Sequence, residues 1–315
     1  MTSRPRACHR GFTLVELLVV ITIIGILAGL ALVGIRVAII AAQNAAMKVE
    51  MAQISQALDL YKQQYGSYPP DCNSVALPTV AAREAAINTH LRKKFGQRSA
   101  TVDVFDTSNM AAINTFANET GIIRAGATAA NAYTLEALDP TETYVLFLMG
   151  FSPDVENPIT GTGERTPLFE FDQKRLTDED DDGWWSYHPT YTEAEYVYFN
   201  SRTYANSSND NVAQYNFTSS PGLAEGIARP YGTINANGAA DWAEPGKFQL
   251  LCAGLDGDFG AGFSGAPTPA QAVKLYPSGV QDTSLAANSV NYTLEDNDNL
   301  VNFGEASTLE SDLDL

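Results

Sequence analysis

Cysteine and histidine are both scarce in this chain. Its 315 residues hold three of each: Cys8, Cys72 and Cys252, and His9, His90 and His188. The cysteines are too few for a disulfide framework and too widely spaced for a zinc site. The dispersed imidazoles leave little for metal or acid–base chemistry. Basic residues are also short, with 19 Lys and Arg against 37 Asp and Glu, a formal net charge of −18. A surface of that sign is repelled by phosphate backbones and anionic headgroups, so nucleic acid is not an expected partner. There is no Gly-x-Ser-x-Gly, no His-Glu-x-x-His and no phosphate loop. With no nucleophile–base–acid set standing out, the chain is not expected to be an enzyme.

What is present is concentrated at the N-terminus. Residues 1–10 carry Arg4, Arg6 and Arg10 and no acid. The 24 residues from Phe12 to Ile35 then carry one charge, Glu16. As a helix, at about 1.5 Å per residue, they span a hydrocarbon core of roughly 30 Å. The basic flank predicts a cytoplasmic N-terminus, with the rest of the chain on the far side. A secretory signal peptide has a shorter apolar core and a small-residue cleavage site. A plain membrane anchor leaves Glu16 unexplained, because a carboxylate at membrane depth costs about 2.5–3.5 kcal/mol on insertion scales.

Arg10-Gly11-Phe12-Thr13-Leu14-Val15-Glu16, followed by the apolar run, resembles the class III leader of type IV pilins and type II secretion pseudopilins. The resemblance implies that prepilin peptidase cuts between Gly11 and Phe12 and that Phe12 becomes the N-methylated first residue. It implies an inner-membrane, single-pass subunit with a periplasmic or extracellular head. Its partners would be other pilin or pseudopilin subunits and an inner-membrane assembly platform. Cleavage exposes an α-amine on Phe12. Glu16 of a neighbouring subunit neutralises it, so two costly charges offset each other in the filament. Removing residues 1–11 leaves 16 bases and 37 acids, or −21, with Cys72 and Cys252 as the remaining cysteines. In an exported chain these two either bond or stay as buried or distant thiols.

Beyond Arg36, Met47, Met51, Ile54, Leu58, Tyr61 and Tyr65 recur in steps of 4, 3, 4, 3 and 4. Lys48, Glu50, Gln53, Gln56, Asp59 and Lys62 lie between them. This is one apolar helical face, and Gly66 with Pro69-Pro70 ends it. The spacing predicts one helix over about 13–65, near 80 Å long. Ala57-Leu58-Asp59-Leu60-Tyr61 and Gly66-Ser67-Tyr68-Pro69 resemble the helix end and loop of the major, G-type pseudopilin. The expected organisation is a leader over 1–11, a transmembrane and assembly helix over 12–65, and a globular head over 66–315. That head is larger than such pseudopilins have.

Within the head, 79–95 reads as a helix with Ile87, Leu91 and Phe95 on one face. Its bases Arg83, Arg92, Lys93 and Lys94, with Arg98 beyond, read either as a docking patch for an acidic neighbour or as a solvated face. Asp139-Pro140-Thr141-Glu142 reads as the start of a buried helix over 141–150. Leu168–Phe171, Tyr196–Phe199 and Phe248–Cys252 read as strands. Residues 200–220 and 260–290 read as loops. The fold class is α+β: a long N-terminal helix packed on a head with a small antiparallel sheet, as the pilin resemblance also implies.

Two acidic clusters suggest calcium. Gly254-Leu255-Asp256-Gly257-Asp258 resembles the calcium-holding C-terminal loop of G-type pseudopilins. Here the later acids, Asp296 and Asp298, follow a long insertion. Asp178, Asp180 and Asp182, before Gly183, form a D-x-D-x-D-G turn without the twelfth-position Glu of an EF-hand. For each cluster an ordinary solvated acidic loop is the competing reading. Trp184, Trp185, Tyr187 and Tyr191 read as core or as a carbohydrate-stacking surface. Two functions follow: a structural filament subunit of a secretion pseudopilus or type IV pilus, or a pilin-anchored module binding a glycan or other surface ligand.

Overall fold

The computed structural model describes residues 12–105, 138–178, 184–205, 212–216, 226–234, 240–260, 274–276 and 297–313. One unbroken helix, α1, runs from Leu14 to Tyr65. It stops where the periodicity predicts. Gly66 takes φ +79° and its N–H closes on the Lys62 carbonyl at 2.6 Å, a left-handed cap that glycine adopts without Cβ strain. The chain divides into two compact units, 1–43 and 44–315. In the first, Phe12 and the described large apolar side chains of α1 up to Ile40 are exposed. No soluble helix presents such a surface without a partner medium.

In the second unit the predicted stripe is core. Met47, Met51, Ile54, Leu58 and Tyr61 are buried, and Tyr65 is partly so. They pack with α2 (Val80–Lys94) and α3 (Thr143–Leu148). Thr79 caps α2 through its side chain to the Ala82 N–H, and Ile87 and Leu91 face inward. All six residues of α3 are buried.

The strands described are β1 (Leu176–Thr177), β2 (Ser186–Tyr187), β3 (Val197–Asn200), β4 (Tyr215–Asn216), β5 (Ile227–Ala228), β6 (Tyr231–Ile234), β7 (Ala240–Trp242), β8 (Phe248–Cys252), β9 (Lys274–Leu275) and β10 (Leu300–Val301). A short helix, α4 (Leu309–Leu313), follows. The central antiparallel sheet has the order β10-β8-β3, with Val197 opposite Leu251 and Val301 opposite the same Leu251. It is apolar on both faces. Tyr196, Tyr198, Leu250 and Cys252 join the α1 core, and Val197, Phe199, Leu251 and Val301 join a second core with Tyr231 and Phe259. That two-sided burial explains why FQLLC is apolar at every position but Gln249, with no alternation between faces. The outer sheets are small: β1-β2, β4-β5 and β7-β6-β9, all antiparallel except the β6–β9 pair. This is an α+β arrangement consistent with the pilin-like fold.

Several sequence expectations need correction. Leu168–Phe171 is not a strand. The N–H groups of Leu168 and Phe169 both turn to the Leu148 carbonyl at the end of α3. Helix α3 starts at Thr143, two residues late, because the Pro140 carbonyl accepts the Tyr198 N–H of β3 instead of continuing a helix. Strands β4 and β9 fall in segments read as loops; β4 pairs with the following strand β5, and β9 pairs with β6, some 43 residues earlier. Arg98 is not on a surface patch. It is buried and paired with buried Asp103 at 2.6 Å. Cys72 and Cys252 are free, buried thiols whose pKa values burial pushes up.

The polar residues of α1 do more than face solvent. Lys48 Nζ donates to the carbonyls of Val301 and Gly304, and Asp59 accepts the Tyr68 hydroxyl. Glu50 is the hub: Arg175 clamps both its oxygens, at 2.5 and 2.8 Å, and Tyr187 and Tyr196 each donate to it at 3.0 Å. The guanidinium of Arg175 also lies over the Tyr187 ring. Glu50→Ala strands Arg175 and two buried hydroxyls, and the expected loss of head stability is about 2–4 kcal/mol. Tyr187→Phe removes one neutral donor and costs about 1 kcal/mol. Urea unfolding of the detergent-solubilised chain, followed by the fluorescence of buried Trp184, measures both; an unshifted midpoint for Glu50→Ala contradicts the hub.

Candidate functional site

The start of α1 is one candidate site. Phe12 is exposed and Thr13 is the cap residue before Leu14. The Thr13 N–H and hydroxyl both donate to Glu16 Oε2 at 2.8 Å, and the Glu16 N–H donates back to Thr13 Oγ1 at 3.2 Å. This is a reciprocal capping box. The sequence reading of Glu16 missed it, although Thr-x-x-Glu before an apolar run is its signature. The box orients the carboxylate at the helix N-terminus, where the macrodipole favours negative charge. Among the described residues Glu16 Oε1 makes no hydrogen bond, while Oε2 holds the helix start. Gly11 lies outside the described residues.

The second candidate is the loop after β8. Gly254 and Gly257 take φ +74° and +75°, turning the chain so that a residue from far along the sequence packs beneath it. Asp298 Oδ2 accepts the N–H groups of Leu255 and Asp256 at 2.8 and 3.2 Å. Asp256 Oδ1 accepts the Asp258 N–H, and Asp258 Oδ1 accepts the Gly260 N–H. The fold thus brings Asp256 and Asp298 together across the insertion, with Asp258 adjacent. Burial and the facing Asp298 push Asp256 up to about 7, and burial raises Asp298 too. Asp298 Oδ1 is buried without a partner. Two converging carboxylates with an orphaned oxygen suit a hard cation. Among the described residues no group of three or more His, Cys, Asp or Glu side chains converges as a complete metal site. Asp296, and Asp180 and Asp182 of the other cluster, lie outside the described residues; Asp178 lies just beyond β1.

The aromatic group divides. Trp184 and Tyr187 are buried, Trp185 is half-buried against the core, and Tyr191 is exposed.

Residues 6–32 match the family model of the prokaryotic N-terminal methylation motif. This motif is the class III prepilin leader, and it supports the pilin and pseudopilin family for the chain. It fits a pilin-like, structural subunit, processed by prepilin peptidase and assembled with other pilin subunits. The match covers the leader and the first part of α1. That helix is long and apolar enough to cross a membrane, which fits the anchoring of a pilin. No curated protein and no solved structure matches the chain.

The Asp256–Asp298 pair predicts a pH dependence. A carboxyl raised from 3.8 to about 7 favours folding while protonated. Its contribution is complete below about pH 4 and is lost as pH rises through 7. In chelator, Asp256→Asn, which cannot titrate, should melt with a smaller decline than wild type between pH 5 and 8. Identical slopes contradict the raised Asp256 carboxyl.

Proposed function

We propose that the chain is a structural subunit of a type II secretion pseudopilus or a related type IV pilus-like filament. The observation that carries this reading is the methylation motif joined to a helix that is apolar and exposed through residue 40 and core-forming from Met47 on. Prepilin peptidase cuts Gly11–Phe12, Phe12 is methylated, and 12–65 serves as anchor and assembly helix for the head over 66–315. The head lies beyond the inner membrane, and an inner-membrane platform adds subunits to the filament. Glu16 meets the Phe12 amine of a neighbour through Oε1, which the capping box leaves unbonded. The likeness to the G-type subunit rests on residues 10–71 and on the Asp256 loop. The glycan-binding alternative finds no support in Trp184 or Tyr187, which are spent on the core.

Intact mass of the chain from a host with prepilin peptidase should begin at N-methylated Phe12. Glu16→Ala should insert in the membrane with its head folded yet drop about tenfold or more from sheared filaments, since the neighbour's amine is left unpaired. Retention of Met1 in that host, or normal incorporation of the variant, contradicts the proposal.

We further propose that calcium is held by Asp256, Asp298 and neighbouring carbonyls, with Asp258 and Asp296 as further oxygens; Asp178, Asp180 and Asp182 are the alternative site. A bound divalent ion supplies positive charge that lets Asp256 and Asp298 ionise side by side. A ligand specific for the folded state adds about 2.7 kcal/mol at a hundredfold excess over its Kd. Melting should rise with calcium above chelator, more than with magnesium, and Asp256→Ala should abolish the rise. A rise lost only in Asp180→Ala moves the ion to the other loop, and no rise removes the cofactor.

A further inference from the structure

A cavity of about 610 Å³ opens between the loop that follows α1, one side of α2 from Ala82 to Lys94 and the turn after β3. Its floor is apolar, with Pro70, Leu77, Ala82 and Ala86. Its polar side is cationic: Lys93 and Lys94 come from α2 and Arg202 from the turn at 201–203. Lys93 and Arg202 are exposed and Lys94 is half-buried. Among the described residues none of the three has an ion-pair partner. In a chain with 37 acids to 19 bases, three cations gathered from two segments around one cavity are out of keeping with the rest of the surface.

Helix ends explain part of this cluster. Lys94 Nζ lies 3.4 Å from where a Cβ on Gly66 would be, against the C-terminus of α1, and Lys93 and Lys94 sit in the last turn of α2. Each helix C-terminus carries the equivalent of about half a negative charge. Two ends therefore offset about one of three full charges. The remaining excess shows in the neighbours. His90, which lines the cavity and bonds the Tyr61 hydroxyl at 2.8 Å, is pushed down to about 3 by burial and by Lys94, Arg202 and Lys93. Burial and the same like-charged neighbours lower Lys94. The imidazole is thus a neutral wall at physiological pH, and the positive field belongs to the two lysines and the arginine.

We propose that this cavity binds a small organic anion, its acid oxygens paired with Lys93, Lys94 and Arg202 and its carbon body on the apolar floor. The volume is that of a small-molecule site, and an apolar floor with a few convergent charges is the usual build of one. Arg202 offers a planar fork to a carboxylate, sulfate or phosphate, and the lysines add point charges. The site shares no residue with the N-terminal helix contacts or with the Asp256 loop, so it is independent of the filament reading.

The test uses the full chain in detergent, titrated with citrate, inorganic phosphate and sulfate against chloride at matched ionic strength. Binding is read by calorimetry and by melting. Saturable binding of citrate, about tenfold weaker in Lys93→Gln and in Arg202→Gln but unchanged in Lys174→Gln, supports the proposal; a tenfold loss is the scale of one charge-assisted hydrogen bond. Lys93→Gln removes an exposed side chain, so an unliganded melt like wild type separates lost binding from lost folding. Saturable binding of phosphate or sulfate but not of citrate, with the same dependence on these residues, contradicts it, because an inorganic oxyanion has no carbon body to rest on the apolar floor. No saturable binding, or a response that follows ionic strength alone, overturns it. So does a zero-length cross-link from Lys93 to an acid of a second copy without any anion titration, which assigns the cavity to subunit contact.

Discussion

The head depends on one surface it did not have to fold from scratch: the Met47–Tyr61 stripe of α1. A helix of this length presents apolar side chains along a continuous line, and everything packed on it inherits that line as a boundary. Helices α2 and α3 cover it, and the central sheet closes the same core with Tyr196, Tyr198 and Leu250. Glu50 sits on the flank of that stripe and binds three side chains from outside α1. The stripe supplies burial, which is non-directional, and the carboxylate supplies direction, fixing which segment lies where. A polar hub of this kind is strongly destabilising when half removed, so it constrains the sequence more tightly than any single apolar contact.

The same helix must also satisfy a second medium. Through residue 40 its described apolar side chains are exposed, and the capping box of Thr13 and Glu16 closes its N-terminus. A filament subunit needs such a division of labour, since one end of the helix must remain available to other copies while the other end is sequestered. The acidity of the chain bears on that arrangement. Heads of net charge near −21 repel one another, and burial beside Asp298 raises the Asp256 carboxyl, so proton uptake there relieves part of that repulsion within a single head. The few cations are correspondingly specialised: Arg98 and Arg175 are bound to buried or half-buried acids, Lys48 to backbone carbonyls, and Lys93, Lys94 and Arg202 to a shared cavity.

Gln249 shows how side chains replace backbone in this head. It is fully buried in β8, and its amide accepts from the Tyr231 N–H and donates to the Tyr231 and Ala243 carbonyls. A side chain thereby performs the pairing of an absent strand and docks β6 beside the central sheet. Buried amides are costly unless all their groups are satisfied, and here both ends are.

The long helix, its stop at Gly66, its apolar stripe, α2 and the strand FQLLC were legible in the sequence because each is a local pattern with a period or a breaker. The capping box was equally local and went unread only because Glu16 had a more conspicuous role. Tertiary structure alone decided the rest. Leu168–Phe171 has strand composition, yet the Leu148 carbonyl claimed its N–H groups. Pro140 had the position of a helix start, yet β3 took its carbonyl. Glu50 and Lys48 looked like solvent-facing helix residues until partners more than a hundred residues away reached them. Asp298 met Asp256 only through a turn that two left-handed glycines allow. Periodicity states which face of an element is buried, but a hydrogen-bonding group takes whatever partner the folded chain brings within 3 Å, and no local pattern records that partner.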